Sequence, residues 1–234
     1  MVTWKQTYTA EPVPHDRAAF AAARSLPARA ASRDPLITMR REAWQDLLAH
    51  VRSERVEVGG MLLGEVFGDE RGRISLDILH AIPALGARQE PTYYKLTDEA
   101  WAHICATRDA IDPDMLIVGW YHSHPGLGVF FSGTDRASQR AFYNRPWNLG
   151  LVIDPATDDV ALFLGGESER ISRDHLVICD DLALPVFPPD PPQPGAPAGP
   201  PAAAWRVDRQ ALAACLLLGL LSAALLRRVW RARR

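Results

Sequence analysis

Two periods of apolar residues recur along the middle of this 234-residue chain, and they predict alternating helices and strands. The helical period is clearest over 41–54, where one face carries Trp44, Leu47, Leu48 and Val51. Further helices are predicted over 97–110, after the capping residue Thr97, and from Ser132 to about Tyr143. Shorter apolar runs bounded by turn residues predict strands over 36–40, 58–67, 74–82, 115–121, 148–155 and 159–165. The pattern predicts an α/β (α+β) fold, with helices flanking a mostly antiparallel, mixed sheet.

This regular pattern covers residues 35–182, which we predict to form one domain. Before it, residues 1–34 are rich in alanine and contain one short predicted helix, so we predict an N-terminal extension there. After it, nine of the 19 prolines lie between Pro185 and Pro201. Proline lacks a backbone donor and favours extended polyproline geometry, so residues 183–204 are predicted to form a semi-rigid linker.

The last segment, 205–234, contains sixteen successive uncharged residues from Ala211 to Leu226. Apolar side chains would surround this stretch on all sides of a helix, so it predicts a single transmembrane helix and not an amphipathic surface helix. Trp205 and Trp230 would lie at the two membrane interfaces, and the flanking arginines would contact lipid headgroups. The sequence therefore predicts a C-terminal membrane anchor with a basic tail.

Two features of the sequence favour opposite orientations for this anchor. Five arginines follow the predicted span, and the positive-inside rule would keep them in the cytoplasm. The first twenty residues, however, contain no apolar signal segment that would export the domain. We give the missing signal more weight and predict that the domain lies in the cytoplasm, attached to the membrane by its C-terminal helix.

The formal net charge of −2 hides an uneven distribution along the chain. Residues 205–234 carry seven arginines and one aspartate, a net charge of +6, which leaves −8 for residues 1–204. An acidic domain is not typical of a general nucleic-acid binder, so we exclude that class. The three cysteines share no short spacing, so neither a zinc ribbon nor a disulfide framework is predicted.

His122 and His124 stand two residues apart, directly after the strand predicted over 115–121. Alternate side chains of a strand point to the same face, so both imidazoles can bind one metal ion. Asp135 follows eleven residues later in the next predicted helix, and the glycine-rich loop between them allows the chain to fold back. Two imidazoles and one carboxylate leave a fourth position open for water, which is typical of catalytic zinc sites. Each part alone has a simpler explanation, since a lone His-x-His pair is usually incidental and Ser132 with Asp135 matches a helix capping box.

The combined motif resembles that of the JAB1/MPN/Mov34 (JAMM) metalloprotease family: His-x-His-Pro, six residues, then Ser-x-x-Asp. The matching residues are His122, His124, Pro125, Ser132 and Asp135. Their immediate neighbours in the sequence resemble the proteasome-lid and signalosome isopeptidase subunits. Glu57 lies where the family places its catalytic glutamate, just before a glycine-rich strand. The resemblance covers residues 35–180 and implies the MPN/JAB fold, which is cytidine-deaminase-like.

The resemblance also implies a reaction mechanism. One zinc ion (Zn²⁺) would be held by His122, His124 and Asp135. Glu57 would be the general base that accepts a proton from water, and Ser132 would donate a hydrogen bond to the developing oxyanion.

Glu54 and Glu65 are neighbouring acids and rival candidates for the general base. We interpret both as solvated charges, because Glu57 alone occupies the family position. Family members that have lost catalysis lack one or more motif residues, whereas this chain keeps all of them.

The function that the resemblance implies is hydrolysis of the (iso)peptide bond after the C-terminal tail of ubiquitin or a ubiquitin-like protein by a zinc metallo-isopeptidase. The predicted C-terminal anchor would tether this enzyme to a membrane. Two alternatives remain open: a catalytically inert MPN scaffold that binds a ubiquitin-like partner, and a zinc peptidase that acts on small peptides or carrier-protein adducts. The alanine- and arginine-rich, lysine-poor composition is typical of bacterial or archaeal proteins. A prokaryotic ubiquitin-like or sulfur-carrier protein is therefore a candidate substrate, and an activating partner subunit is compatible with the sequence.

The segment 84–96 interrupts the alternation of strands and helices. An extended substrate tail could add a strand to a sheet edge beside it. We predict that this segment flanks the substrate groove and that Tyr93 and Tyr94 are candidate substrate-binding residues.

Overall fold

The structure, a computed structural model, describes residues 10–86, 88–90 and 93–180. The predicted linker (183–204) and the predicted membrane anchor (205–234) lie outside the described residues. Within the described ranges, no helix is both long enough and apolar enough to cross a membrane.

Five α-helices, one 3-10 turn and eleven strands make up the described part of the chain. In chain order they are β1 (Val13–Pro14), α1 (Arg17–Ala23), α2 (Ala28–Ala31), β2 (Leu36–Arg40), α3 (Arg41–Ser53), β3 (Gly59–Gly68), β4 (Ile74–Pro83), β5 (Arg88–Glu90), β6 (Tyr93–Lys95), α4 (Asp98–Ile111), β7 (Leu116–Ser123), α5 (Gly133–Phe142), β8 (Leu149–Asp154), β9 (Asp159–Leu164), β10 (Glu169–Ile171), the 3-10 turn (Arg173–His175) and β11 (Leu176–Cys179).

One mixed sheet forms the centre of the fold, with the strand order β10-β9-β8-β7-β3-β4-β2-β11 and with β1 beside the end of β3. The hairpins β3–β4 and β8–β9 are antiparallel, as predicted, and so is the central pair β3–β7. The pairs β7–β8, β2–β4, β2–β11 and β1–β3 are parallel, so the sheet contains more parallel pairing than the sequence pattern predicts. Because other elements separate the strands of each parallel pair, no turn signal between them reveals the pairing.

Helices cover both faces of this sheet and bury two apolar clusters. On one face, α3 packs against β4, and its apolar residues Leu47 and Val51 lie in one buried cluster with Leu62 of β3. On the other face, Ile104 of α4 lies in one buried cluster with Met61 and Leu63 of β3. Each fully buried side chain of this size contributes roughly 1.5–3 kcal/mol to folding. The predicted mixed α/β fold is confirmed, and both clusters hold β3 and β7 at the centre of the domain.

The N-terminal segment also packs against the sheet. β1 runs parallel to the end of β3, and the buried side chain of Arg17 donates a hydrogen bond to the Ile74 carbonyl oxygen at 3.0 Å. The Arg24 guanidinium forms an almost fully buried ion pair with Asp77 of β4. From Val13 onward, the predicted extension thus shares contacts with the domain, and a domain boundary at residue 34 stays a prediction.

Candidate metal centre

Two buried histidines lie at the end of β7, where the period of two places them on the same face of the strand. The Nε2 atoms of His122 and His124 are 3.2 Å apart, and both side chains are almost completely buried. Ser123, between them, points away and donates its backbone N–H to the Val58 carbonyl oxygen at 2.8 Å. The predicted convergence of the two imidazoles is therefore present.

Asp135 reaches the histidines from the first turn of α5. Its Oδ2 atom accepts the backbone N–H of Ser132 at 2.6 Å, and its own N–H is donated to Ser132 Oγ at 3.2 Å. This capping box leaves Oδ1 facing His122, with 3.6 Å between Oδ1 and Nε2. Burial alone would raise the pKa of Asp135, but the hydrogen bond and charge of His122 and the bonds from Ser132 outweigh it and lower the pKa to about 2. The cap and the predicted ligand are thus the same carboxylate, each function using a different oxygen.

Glu57 precedes β3 and lies opposite the end of β7. Gly59 pairs with His122, and the bonds between Val58 and Ser123 continue this register. The Glu57 Oε1 atom consequently lies 3.3 Å from His124 Nε2, in a side chain that is only 7% exposed. Burial is the main cause that raises the pKa of Glu57; His122 lowers the pKa and Asp135 raises it.

The donor atoms fit a zinc ion held by three protein ligands. Ligand atoms of His122, His124 and Asp135 all lie within 4.8 Å of one another. Burial, followed by the neighbouring His122, lowers the pKa of His124, which favours the neutral imidazole that binds a metal. Two imidazole nitrogens and one carboxylate oxygen are the ligand types of catalytic zinc sites, which keep a further position open.

Each histidine is oriented in its own way by the surrounding structure. His124 Nδ1 lies 3.2 Å from the carbonyl oxygen of Gly128, which is the usual kind of partner for the non-ligating nitrogen of a metal-binding histidine. His122 instead stacks on Trp120, with ring centroids 4.7 Å apart and planes inclined by 10°. These contacts direct the Nε2 atoms of both rings towards the same point.

Gln139 of α5 fixes the position of the Trp120 ring. Its Oε1 accepts the indole N–H of Trp120 at 2.6 Å, and its Nε2 lies within 3.2 Å of three backbone carbonyl oxygens. These belong to Tyr143, Asn148 and Gly165. Gln139 is fully buried. Through these hydrogen bonds it joins the end of α5, the start of β8 and the end of β9 behind the site.

The rival acids lie elsewhere in the fold. Glu54 is exposed at the end of α3. Glu65 lies on β3 opposite Asp77, and burial, followed by the charge of Asp77, raises its pKa. Among these three acids, only Glu57 has a described contact with the histidine cluster.

The candidate substrate-binding residues Tyr93 and Tyr94 fall in β6, which pairs with β5 in a separate antiparallel hairpin. The structure describes the backbone of this hairpin, so the role of the two tyrosine side chains stays a prediction.

Three residues around the site are not assigned a role by the sequence pattern: Trp120, Gln139 and Asp154. Trp120 only adjoins the motif, and Asp154 accepts the backbone N–H groups of Gly126 and Gly128 in the loop after His124. An aspartate before proline at the end of a predicted strand is a turn signal, so the sequence could have marked Asp154 as a turn residue. Nothing in the local sequence of Gln139 indicates a buried residue whose partners lie up to 26 positions away.

Together, the fold and the site define an α/β domain with a buried candidate metal centre of two histidines and one aspartate. Residues 37–145 match the family model described as "JAB1/Mov34/MPN/PAD-1 ubiquitin protease". The domain formed by these residues belongs to the JAB1/MPN/Mov34 family, which confirms the resemblance found in the motif.

Three curated relatives each match between 43% and 47% of the chain. The chain is 36% identical over 115 residues to COP9 signalosome complex subunit 5 of Dictyostelium discoideum, covering 47% of this chain and 32% of that protein. It is 34% identical over 103 residues to the 26S proteasome regulatory subunit RPN11 of Candida glabrata, covering 43% of this chain and 32% of that protein. It is also 34% identical over 101 residues to the NAD(+) hydrolase TcpA of a Theionarchaea archaeon, covering 43% of this chain and 28% of that protein. The chain therefore spans about a third of the length of these relatives, or less.

Proposed function

We propose that this protein is a zinc-dependent metallo-isopeptidase that hydrolyses the (iso)peptide bond after the C-terminal tail of ubiquitin or a ubiquitin-like protein. The observation that carries this proposal is the position of the Glu57 carboxylate beside a buried His-His-Asp cluster. A buried acid of raised pKa next to three metal-ligand side chains is suited to proton transfer during hydrolysis. The family description as a ubiquitin protease supports the substrate class.

Each side chain of the site has a separate role in this proposal. Zinc bound by His122, His124 and Asp135 would act as a Lewis acid and lower the pKa of a bound water towards about 7. Glu57 accepts the proton of the attacking water and later delivers it to the leaving amine. Ser132 Oγ accepts the Asp135 N–H, so its own hydrogen remains available to donate to the carbonyl oxygen of the scissile bond.

A pair of matched substrates separates this proposal from its alternatives. One is ubiquitin joined through its C-terminal carboxyl group to the lysine side chain of a fluorescent peptide. The other is the last five residues of the ubiquitin tail, joined to the same peptide. We expect the full chain, loaded with zinc, to release the peptide from the first substrate and at least tenfold more slowly from the second. Equal rates would favour a small-peptide peptidase, and binding of ubiquitin without any release would favour an inert scaffold; either result contradicts the proposal.

The hairpin β5–β6 is proposed to flank the substrate tail. Each of its strands has one edge that pairs with no other strand in the described part of the chain, and such an edge can accept an extended peptide. We expect the double substitution Tyr93→Ala and Tyr94→Ala to raise KM for the ubiquitin substrate about tenfold with little change in kcat. Tyrosine is enriched among the residues that dominate binding at interfaces, and a tenfold loss corresponds to about 1.4 kcal/mol. Steady-state kinetics measure this effect. The control is Phe142→Ala, which removes an exposed aromatic ring from α5; an unchanged KM in the double variant would exclude the hairpin from the groove.

We further propose that the C-terminal segment holds the domain at a membrane, with the domain in the cytoplasm. The support comes from the uncharged run 211–226 and its flanking arginines. The full chain is expected to float with liposomes in a density gradient. The double substitution Leu217→Asp and Leu220→Asp is expected to abolish flotation, because each charge costs about 2.5–3.5 kcal/mol at the centre of a span. The matched control places the same charges in the linker, Ala196→Asp and Ala198→Asp, and is expected to float; a wild-type chain that stays with the soluble fraction would contradict the proposal.

A further inference from the structure

We propose that Asp154 is a positioning residue that holds the loop carrying His124 in its metal-binding geometry. This inference rests on the proposed metal site. Asp154 ends β8, its side chain is almost completely buried, and its two carboxylate oxygens accept three backbone N–H groups. Oδ1 accepts those of Gly126 and Ala156, each at 2.9 Å, and Oδ2 accepts that of Gly128, also at 2.9 Å.

The loop that Asp154 holds is the turn directly after His124. Gly126 and Gly128 have φ values of +72° and +80°, a left-handed conformation that favours glycine. The turn is closed by the Leu127 N–H, which bonds to the His124 carbonyl oxygen at 3.1 Å. The bonds from Gly126 and Gly128 to the buried Asp154 carboxylate tie both glycines to the end of β8.

The loop in turn determines the orientation of the His124 ring. The carbonyl oxygen of Gly128 lies 3.2 Å from His124 Nδ1, and the His124 backbone N–H bonds to the Ile153 carbonyl oxygen at 2.9 Å. His124 is therefore fixed to β8 through its backbone, while its ring is fixed through Gly128 and thus through Asp154. Partners of this type keep the ligating nitrogen free of its proton and directed at the metal.

The substitution Asp154→Asn tests one of these contacts selectively. The amide oxygen can replace Oδ1 and keep the bonds from Gly126 and Ala156. The amide NH₂ then takes the place of Oδ2 and faces the Gly128 N–H, so that two donors meet and the Gly128 bond is lost. We expect the zinc dissociation constant of the full chain to rise by about 10- to 100-fold, the usual effect of removing a partner of a ligating histidine. Competition with a chromogenic zinc chelator measures the dissociation constant without reference to activity.

The matched control is Asp159→Asn, the same change on an exposed residue across the β8–β9 turn. Asp159→Asn is expected to bind zinc as the wild type does. The visible spectrum of the cobalt-substituted protein gives a second readout, since a displaced His124 changes its bands whereas a general loss of stability does not. Equal zinc affinity and equal cobalt spectra in wild type and Asp154→Asn would overturn the proposal.

Hydrogen exchange on the wild-type chain supplies a test that does not depend on the folding of the variant. We expect the Gly126 and Gly128 amides to exchange slowly, and rapid exchange of both would overturn the role of Asp154. A wild-type chain that binds no zinc would instead contradict the metal site itself, so the failure of either proposal can be recognised separately.

Discussion

Replacing Glu57 by Gln is expected to suppress hydrolysis strongly while the protein still binds one zinc ion. The carboxylate lies 3.3 Å from His124 but is not one of the three clustered ligands, so its loss leaves the ligand set complete. Glutamine has nearly the same shape, but its amide cannot accept and return a proton. General base catalysis typically contributes about 10²- to 10⁴-fold, so we expect kcat to fall by that factor with KM nearly unchanged.

Glu65→Gln is the matched control for this experiment. It makes the same chemical change on β3, in the acid that competes with Glu57 for the role of base, at a position that faces Asp77 and not the histidines. Hydrolysis of the ubiquitin–peptide conjugate and zinc content are measured on all three proteins. If activity survives in Glu57→Gln, or is lost in Glu65→Gln, the assignment of Glu57 as the general base is wrong.

Replacing His124 by Ala is expected to remove the zinc and with it all detectable turnover. Two ligands, His122 and Asp135, then remain, which is fewer than the three that catalytic zinc sites use. The wild type should also gain thermal stability on addition of zinc, by about 2.7 kcal/mol at a free concentration 100 times the dissociation constant. His124→Ala should show no such gain, which thermal unfolding with and without zinc measures.

His103→Ala controls for the general effect of losing a histidine. His103 lies on α4, on the face of the sheet covered by that helix, and is not a member of the cluster. This variant is expected to keep one zinc ion per chain and the zinc-dependent gain in stability. A zinc content of one per chain in His124→Ala would show that the ion binds elsewhere.

Local signals account for the parts of the structure that the sequence predicts well. The Thr97 hydroxyl accepts the Ala100 N–H at 3.1 Å at the predicted start of α4, and Ser132 with Asp135 forms the predicted capping box. The convergence of His122 and His124 follows from the period of a strand alone. These features depend on residues that are within a few positions of one another, so their pattern is visible in one short segment.

Contacts between distant segments account for what the sequence does not predict. The short strand β10 is recognisable only from its pairing with β9, the partner of β11 is not visible in the sequence, and the parallel pair β2–β4 has a helix and a strand between its members. The distant partners of Asp154 and Gln139 are hidden as well, since they lie on other elements and polar residues of these types are usually exposed. The ligands themselves could be predicted, whereas the groups that orient them could not.

Zinc titration of the metal-free full chain, with hydrolysis of the ubiquitin–peptide conjugate as the readout, tests the proposed function most directly. We predict no turnover without metal, a linear rise with added zinc, and a plateau at one equivalent per chain. Glu57→Gln should bind the same equivalent, with turnover lower by about 10²- to 10⁴-fold throughout the titration. Turnover by the metal-free chain, or no turnover at any zinc concentration, would contradict a zinc-dependent isopeptidase centred on Glu57, His122, His124 and Asp135.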